Sequence, residues 1–515
     1  MSRTFDTLVI GAGFGGLGTA LALAESGADV CLVESLRYPG GCASTFSRKL
    51  PGPDGTPVIH RFESGATIAS GLGEGQLIGR WLARHAPELE IEWADPMVEL
   101  RGPDLKLTVH RDRQALVRQL SSLPGAPAAG IAAFFAEQER VANVLWSLFD
   151  DPSQLPPFDA ASLARHATNT FRYAPLLGLI GRPVEAVMKR CGVERFAPLR
   201  LFVDALCQIT VQCPAAEAEA PFAFAAMDYY HRGTGHVRGG FGALAWALAS
   251  ACGRLGADVR MASRVKGLRR IAGGWEAELS RGETVRARHV AANVLPASLR
   301  ALGGGSIRLP SMVRALDAAV EDAWSAAMLY AVAEPPPGTP EHAHHLELVG
   351  RSDRALSEGN HVFVSISSAA ETDRAPAGRR TMTMSTHVPL AAMRRPEAEQ
   401  ARYIAGVQEA MRATLRARAP EWAASIRGEL TASPRTFERF TGRPLGAVGG
   451  IPRRAGLGNY RTLGPTEVED GLYLVGDSVF PGQSALATAI GGVRTAAAIG
   501  RRLGALRPAG RSRSA

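Results

Sequence analysis

Lysine is nearly missing from this chain. Only Lys49, Lys106, Lys189 and Lys266 occur among 58 basic residues, so 58 − 4 = 54 are arginine. That skew is a bias of usage along the whole chain and not a patch built for phosphate. With no nucleic-acid motif beside it, nucleic acid is excluded as the partner. Arg501, Arg502, Arg507, Arg511 and Arg513 fall in the last fifteen residues with no acid among them, against a net charge of +9. The partner that suits such a surplus is an anionic membrane surface.

Cysteine is sparse too. The six stand at 31, 42, 191, 207, 213 and 252, with no CxxC pair and no zinc spacing. That excludes a disulfide scaffold and a metal site of that kind, and the expected compartment is the reduced cytoplasm. No run of about 18 apolar residues is present, so no spanning helix is expected. The chain reads from Met1 straight into DTLVIGAG, without the basic and apolar regions of a secretory leader. Aromatics make up 6% of the residues, thin material for a cage around a substrate amine. Repeats and low-complexity tracts are absent as well.

What is present is length. With 515 residues, 46% hydrophobic and 21% charged, the chain supports two globular units sharing a large core. Residues 6–10, DTLVI, read as a short buried strand. They run into Gly11-Ala-Gly13-Phe14-Gly15-Gly16 and a Leu/Ala-rich helix. A second strand, ADVCLVE, ends at Glu34. This is GxGxxG in its required context. The first glycine makes the tight turn, the second admits a pyrophosphate, and the third lets helix and strand pack. The helix N-terminus faces the anion, and Glu34 accepts the ribose hydroxyls. An acid there favours FAD or NAD over NADP.

Further on, IAAFFAEQERVANVLWSLF and residues 239–255 read as helices. Residues 257–296 read as several strands, as do NHVFVSISS, RRTMTMSTHV and LYLVG at 472–476; TAIGGVRTAAAIGRRL reads as the final helix.

The segments Gly40-Gly41-Cys42-Ala43-Ser44-Thr45, Phe62-Glu63-Ser64-Gly65 and Gly471-to-Asp477 resemble the flavin superfamily of amine oxidases and phytoene desaturases. GGCASTF at 40–46, GATIASGL at 65–72, SPRTFERFTGRP at 433–444 and GLYLVGDSVFPGQ at 471–483 narrow the resemblance to its carotenoid branch. They are most similar to the C-3′,4′ desaturases, with the cis–trans isomerases next. The resemblance implies an α/β fold: a discontinuous Rossmann-like FAD domain over 1–75, 236–305 and 455–505. An α+β substrate domain would be built from 76–235 and 306–454, and 506–515 would form a basic tail. It implies FAD contacts at Gly40, Gly41, Ser44, Thr45, Gly476 and Asp477, and at Val265 for the adenine. Gln483, Ser484, Ala485 and Leu486 would lie towards the isoalloxazine. Cys42 departs from the pattern, standing where many relatives have arginine, so one positive contact to the cofactor is expected to be missing.

The implied activity is desaturation of a carotenoid-like polyene or isoprenoid, with flavin N5 as hydride acceptor. The alternatives are a carotenoid cis–trans isomerase, a flavin oxidase of another natural product, and a lipid-binding escort. The sequence names no electron acceptor and no catalytic residue. Asp204, Glu63 and the run Asp228-Tyr229-Tyr230-His231 are the candidate proton acceptors, each with an equally ordinary packing role. A polyene substrate calls for peripheral contact with the inner face of a membrane. Phe171 to Arg182, apolar and aromatic between arginines, is the candidate contact; the competing reading is a buried helix lining the pocket.

Overall fold

The computed structural model describes residues 3–52 and 55–504, so the expected tail 506–515 lies outside the described residues. Strand Thr4–Ile10 is buried along its C-terminal half, as a parallel strand covered on both faces must be. It pairs in parallel with Val30–Val33 on one side and Thr284–Ala292 on the other. Asp258–Arg260 extends the sheet beyond Val30–Val33. Beyond Thr284–Ala292 the partner changes along the strand. Its first half takes the antiparallel Gly274–Leu279, and its last residues take the parallel Leu472–Leu474. Val265–Ile271 and Thr466–Glu469 complete eight strands. This sheet thus draws on three distant stretches of the chain.

The helix after the first strand, Phe14–Glu25, is buried along most of its length. It crosses the final helix, Ala485–Leu503, at backbone distance. A Cβ on Gly18 would lie 2.7 Å from the Ala489 carbonyl oxygen, and one on Gly492 2.3 Å from that of Gly15. Both crossings need glycine for the same reason: there is no room for a methyl group.

A second sheet has seven strands. Trp324–Ala333 runs between Arg380–Pro389 and the edge strand Ile426–Ala432, all antiparallel. His361–Ile366 and His344–Val349 follow outward, then Val98–Arg101 and Lys106–Val109. Helices Ala128–Asp150, Ala197–Thr210 and Ala220–Met227 stand against the space between the two sheets. Phe134 meets Phe224 edge-on at 5.6 Å, and the Trp146 indole donates to the Ala225 carbonyl at 3.0 Å.

The strands and helices expected from hydrophobic periodicity are found in place. One local reading changes. Residues 171–182 are no buried helix: Thr170–Leu176 is a 3₁₀ turn with no buried residue. Phe171 is 93% exposed and Leu177 74% exposed.

Candidate functional site

The first strand delivers the glycine loop to the edge of one continuous cavity. Gly11 turns the chain at φ +93°. A Cβ on Gly16 would stand 1.9 Å from the Gly11 carbonyl oxygen, and one on Gly13 2.6 Å from Asn293 Nδ2. Helix Phe14–Glu25 opens at Gly13 with no side-chain cap and no acid in its first turn. Its free N–H groups are therefore left for an anion. Glu34 takes the Ala12 N–H at 2.7 Å on one carboxylate oxygen and the Leu36 N–H at 2.8 Å on the other. It thereby pins the glycine loop to the second strand. Gly40 and Gly41, both at positive φ, bring the next loop against Gly13. Val265 lines the groove beyond Glu34, whose carbonyl accepts from Ser263 at 2.7 Å.

A dinucleotide fits this groove: the glycines leave it open, the helix terminus is uncapped, and Glu34 stands one strand away. Of the remaining positions singled out by sequence, Phe14, Gly15, Cys42, Gly476, Asp477, Gln483, Ser484, Ala485 and Leu486 also line the cavity. Three stand behind its wall. Gly16 packs helix on strand. Ser44 bonds Ser64, and Thr45 donates to Glu63 at 3.0 Å while accepting from Gly242.

Two groove residues escaped the sequence reading. Asn293 follows the strand Thr284–Ala292 and touches the loops around Gly11, Gly13, Gly15 and Gly476. Its place at the carboxyl end of a parallel strand was the available signal. Arg443 forks onto both Asp477 oxygens, at 3.0 and 2.9 Å. It stands close enough to Cys42 for its charge to oppose the rise in that thiol's pKa caused by burial. A positive charge thus stands beside position 42, from a loop 400 residues away in sequence. Arg443 lies within the segment SPRTFERFTGRP, whose pattern assigns it no role.

Towards the second sheet the cavity becomes a chamber. Its floor is one face of that sheet: Ala326 and Met328, then His387 and Ser385, then His361 and Phe363. Its walls are aromatic and aliphatic, including Trp146, Phe149, Phe222 and Tyr229. Gln483 donates to the Ile209 carbonyl at 2.8 Å, and Leu486 sits over Gly71, so the segment after Gly476 closes on the helical wall.

Most of the candidate proton acceptors turn out to be committed elsewhere. Asp204 accepts from the Ala215 N–H at 2.8 Å. Asp228 is clamped by Arg113 and Arg232, and His231 bonds the Arg111 carbonyl. Glu63 meets Arg374 at 3.0 Å and the start of helix Gly240–Arg254. Burial pushes its pKa up against the pull of Arg374. Beside it, Glu371 is bonded by His236 at 2.9 Å and by the Gly239 N–H. Burial would raise Glu371, yet His236 and Arg374 hold it down to about 2. Tyr229 and Tyr230 alone of that set line the cavity among the described residues.

A family profile described as an NAD(P)-binding Rossmann-like domain matches residues 9–84. A prolycopene isomerase of Daucus carota is 25% identical over 98% of this chain and 81% of its own length. A neurosporene-forming phytoene desaturase of Cereibacter sphaeroides is 29% identical over 26% of this chain and 24% of its own. Where the desaturases were expected to be nearest, the near-full-length likeness is therefore to isomerases. The fold is that of a cyclohexylamine oxidase from Brevibacterium oxydans: TM-score 0.59 at 16% identity, over 98% of this chain and 100% of that one. The architecture is a Rossmann-like dinucleotide-binding domain within an amine oxidase-like fold of mixed α/β sheets.

Proposed function

We propose that this chain, an FAD-dependent oxidoreductase of the phytoene desaturase and amine oxidase superfamily, removes two hydrogens from a carotenoid-type polyene. One observation carries the reading: a single cavity joins the glycine-loop groove to a chamber walled by Trp146, Phe149, Phe222 and Tyr229. Bound flavin supplies a hydride acceptor. The chain's own part is to hold and orient. The uncapped helix at Gly13 would take the pyrophosphate, Glu34 the ribose hydroxyls, and Asp477 with Arg443 the stretch between nucleotide and ring. Gly449, Ile451 and Leu486 also line the cavity.

The test is anaerobic mixing of flavin-loaded protein with an acyclic carotenoid. Flavin bleaching with a product two hydrogens lighter supports desaturation. A second reading is cis–trans isomerisation, favoured by the near-full-length similarity to a prolycopene isomerase. An isomer shift at unchanged mass, without net bleaching, selects it. Neither change points to another substrate or to an escort.

We further propose that the protein collects its substrate from a membrane surface. No helix among the described residues is long and apolar enough to cross one. The support is an exposed apolar cluster: Phe171, Leu177 and Ile180, with Leu457 alongside Gly181, beside the exposed Arg182 and Arg461.

A further inference from the structure

The floor of the chamber carries a dyad that neither motif nor spacing announces. His361 and Glu347 lie diagonally on one face of the second sheet, on neighbouring antiparallel strands. His361 Nε2 and Glu347 Oε1 are 3.0 Å apart, with the two side chains 2% and 0% exposed. A carboxylate in this position fixes the tautomer and aim of the ring. His361 lines the cavity, whereas Glu347 stands behind it. With Nε2 engaged by Glu347, Nδ1 is the ring nitrogen left for the chamber. The other Glu347 oxygen and the Tyr230 hydroxyl are enclosed without a partner. Burying an ion-forming pair in apolar surroundings costs stability, so its presence at a cavity wall marks a functional group.

Elimination points the same way. Of the other titratable groups lining the cavity, Glu34 and Asp477 are committed to the cofactor groove. Burial pushes the Cys42 thiol and the Tyr229 and Tyr230 phenols up, away from acting as bases near neutrality. Burial pushes His387 down to about 3, which leaves a feeble acceptor. The cavity arginines are permanently charged. His361 remains.

We infer that His361, aligned by Glu347, accepts the proton that leaves the polyene during desaturation. The inference rests on the desaturase reading above. Oxidised flavin held in the groove would supply the two-electron acceptor for the hydride that one C–H bond of the substrate gives up with its electron pair. The adjacent C–H bond gives its proton to His361 Nδ1, and its electron pair becomes the new carbon–carbon π bond. Glu347 then faces an imidazolium and balances its charge. His361 is the catalytic residue and Glu347 the positioning one.

The groups facing His361 are Glu347 on one neighbouring strand and His387 on the other, with Tyr230 from the turn Asp228–His231 close to Glu347. His345, stacked on Phe363, is the next titratable group along that face.

The experiment is single-turnover flavin bleaching by an acyclic carotenoid, with His361→Asn, His361→Ala and Glu347→Gln beside the wild type. Flavin content and the absorption shift of bound polyene report folding and binding independently of turnover. The expected result is full flavin content, retained polyene binding, and bleaching slowed about 100-fold or more in both His361 variants. Added imidazole accelerates His361→Ala. Bleaching of His361→Asn within about threefold of wild type overturns the proposal while leaving the desaturase reading standing. Wild-type protein that shifts isomers at constant mass overturns both.

Discussion

The two ends of the cavity are built on opposite principles. At the nucleotide end, function is a matter of backbone. Gly11, Gly13 and Gly16 are chosen because nothing larger fits, and the ligand is met by N–H groups and a helix terminus. At the chamber end, function is a matter of side chains. His361, His387, Ser385 and Met328 reach the cavity from three strands, and Phe222 and Tyr229 from helical segments. Backbone sites repeat a spacing, since one turn geometry dictates where glycine must stand. Side-chain sites on a sheet face are set by register across strands, which spreads their residues over some 60 positions here, from 326 to 387.

The contrast is most severely tested at Gly16. Gly16→Ala would push a methyl group onto the Gly11 carbonyl, backbone that has nowhere to move. Retained flavin should fall about tenfold or more, with a stability loss of about 1–3 kcal/mol. The absorbance ratio at 450 and 280 nm reads the first and thermal unfolding the second. Full flavin content in this variant would break the claim that the groove is sterically dictated.

Outside the cavity lining stands the buried network His236–Glu371–Arg374–Glu63. Glu371 sits at about 2, against an ordinary 4.5. A lowered native pKa stabilises above the unfolded value, and that stabilisation is lost as pH falls towards the native one. Two and a half units correspond to about 3 kcal/mol at neutral pH. Glu371→Gln should therefore lower stability most at pH 7, and the gap from wild type should close as pH drops from 5 towards 2. A gap that does not change with pH would remove the carboxylate's charge from the account of what this network contributes.

Arg443→Met probes the groove at its one side-chain-built corner. Asp477 loses the partner of its buried pair, with an expected cost of about 2 kcal/mol in thermal unfolding and weaker flavin retention. Rescue by Asp477→Asn in the same chain would show that the unpaired charge is the cause. The smallest effect on the fold belongs to the exposed segment at 171–182. Phe171→Asp with Leu177→Asp should change stability by no more than about 0.5 kcal/mol, yet reduce co-sedimentation with anionic vesicles about tenfold. Unchanged sedimentation would detach this segment from substrate collection.

Legibility followed the same division. The strand–loop–helix around Gly13, with Glu34 ending the next strand, could be read directly because each residue type answers a local geometric demand. Arg443 could not, since it meets Cys42 and Asp477 only after the chain has returned from the second sheet. His361 was hidden in NHVFVSISS, where a histidine before alternating apolar residues looks like a strand edge. Only the pairing with His344–Val349 brings Glu347 behind it. The aromatic segment at 171–182 had the composition of a membrane contact and of a core helix alike, and composition alone does not decide which way a side chain points.

The first sheet's assembly from residues 4–33, 258–292 and 466–474 also bears on how the protein is made. The glycine loop is translated well before Asn293, Asp477 and the helix that locks Phe14–Glu25 through Gly492. The loop must wait, unliganded, while most of the chain is translated. Cofactor capture is therefore a late event in biogenesis.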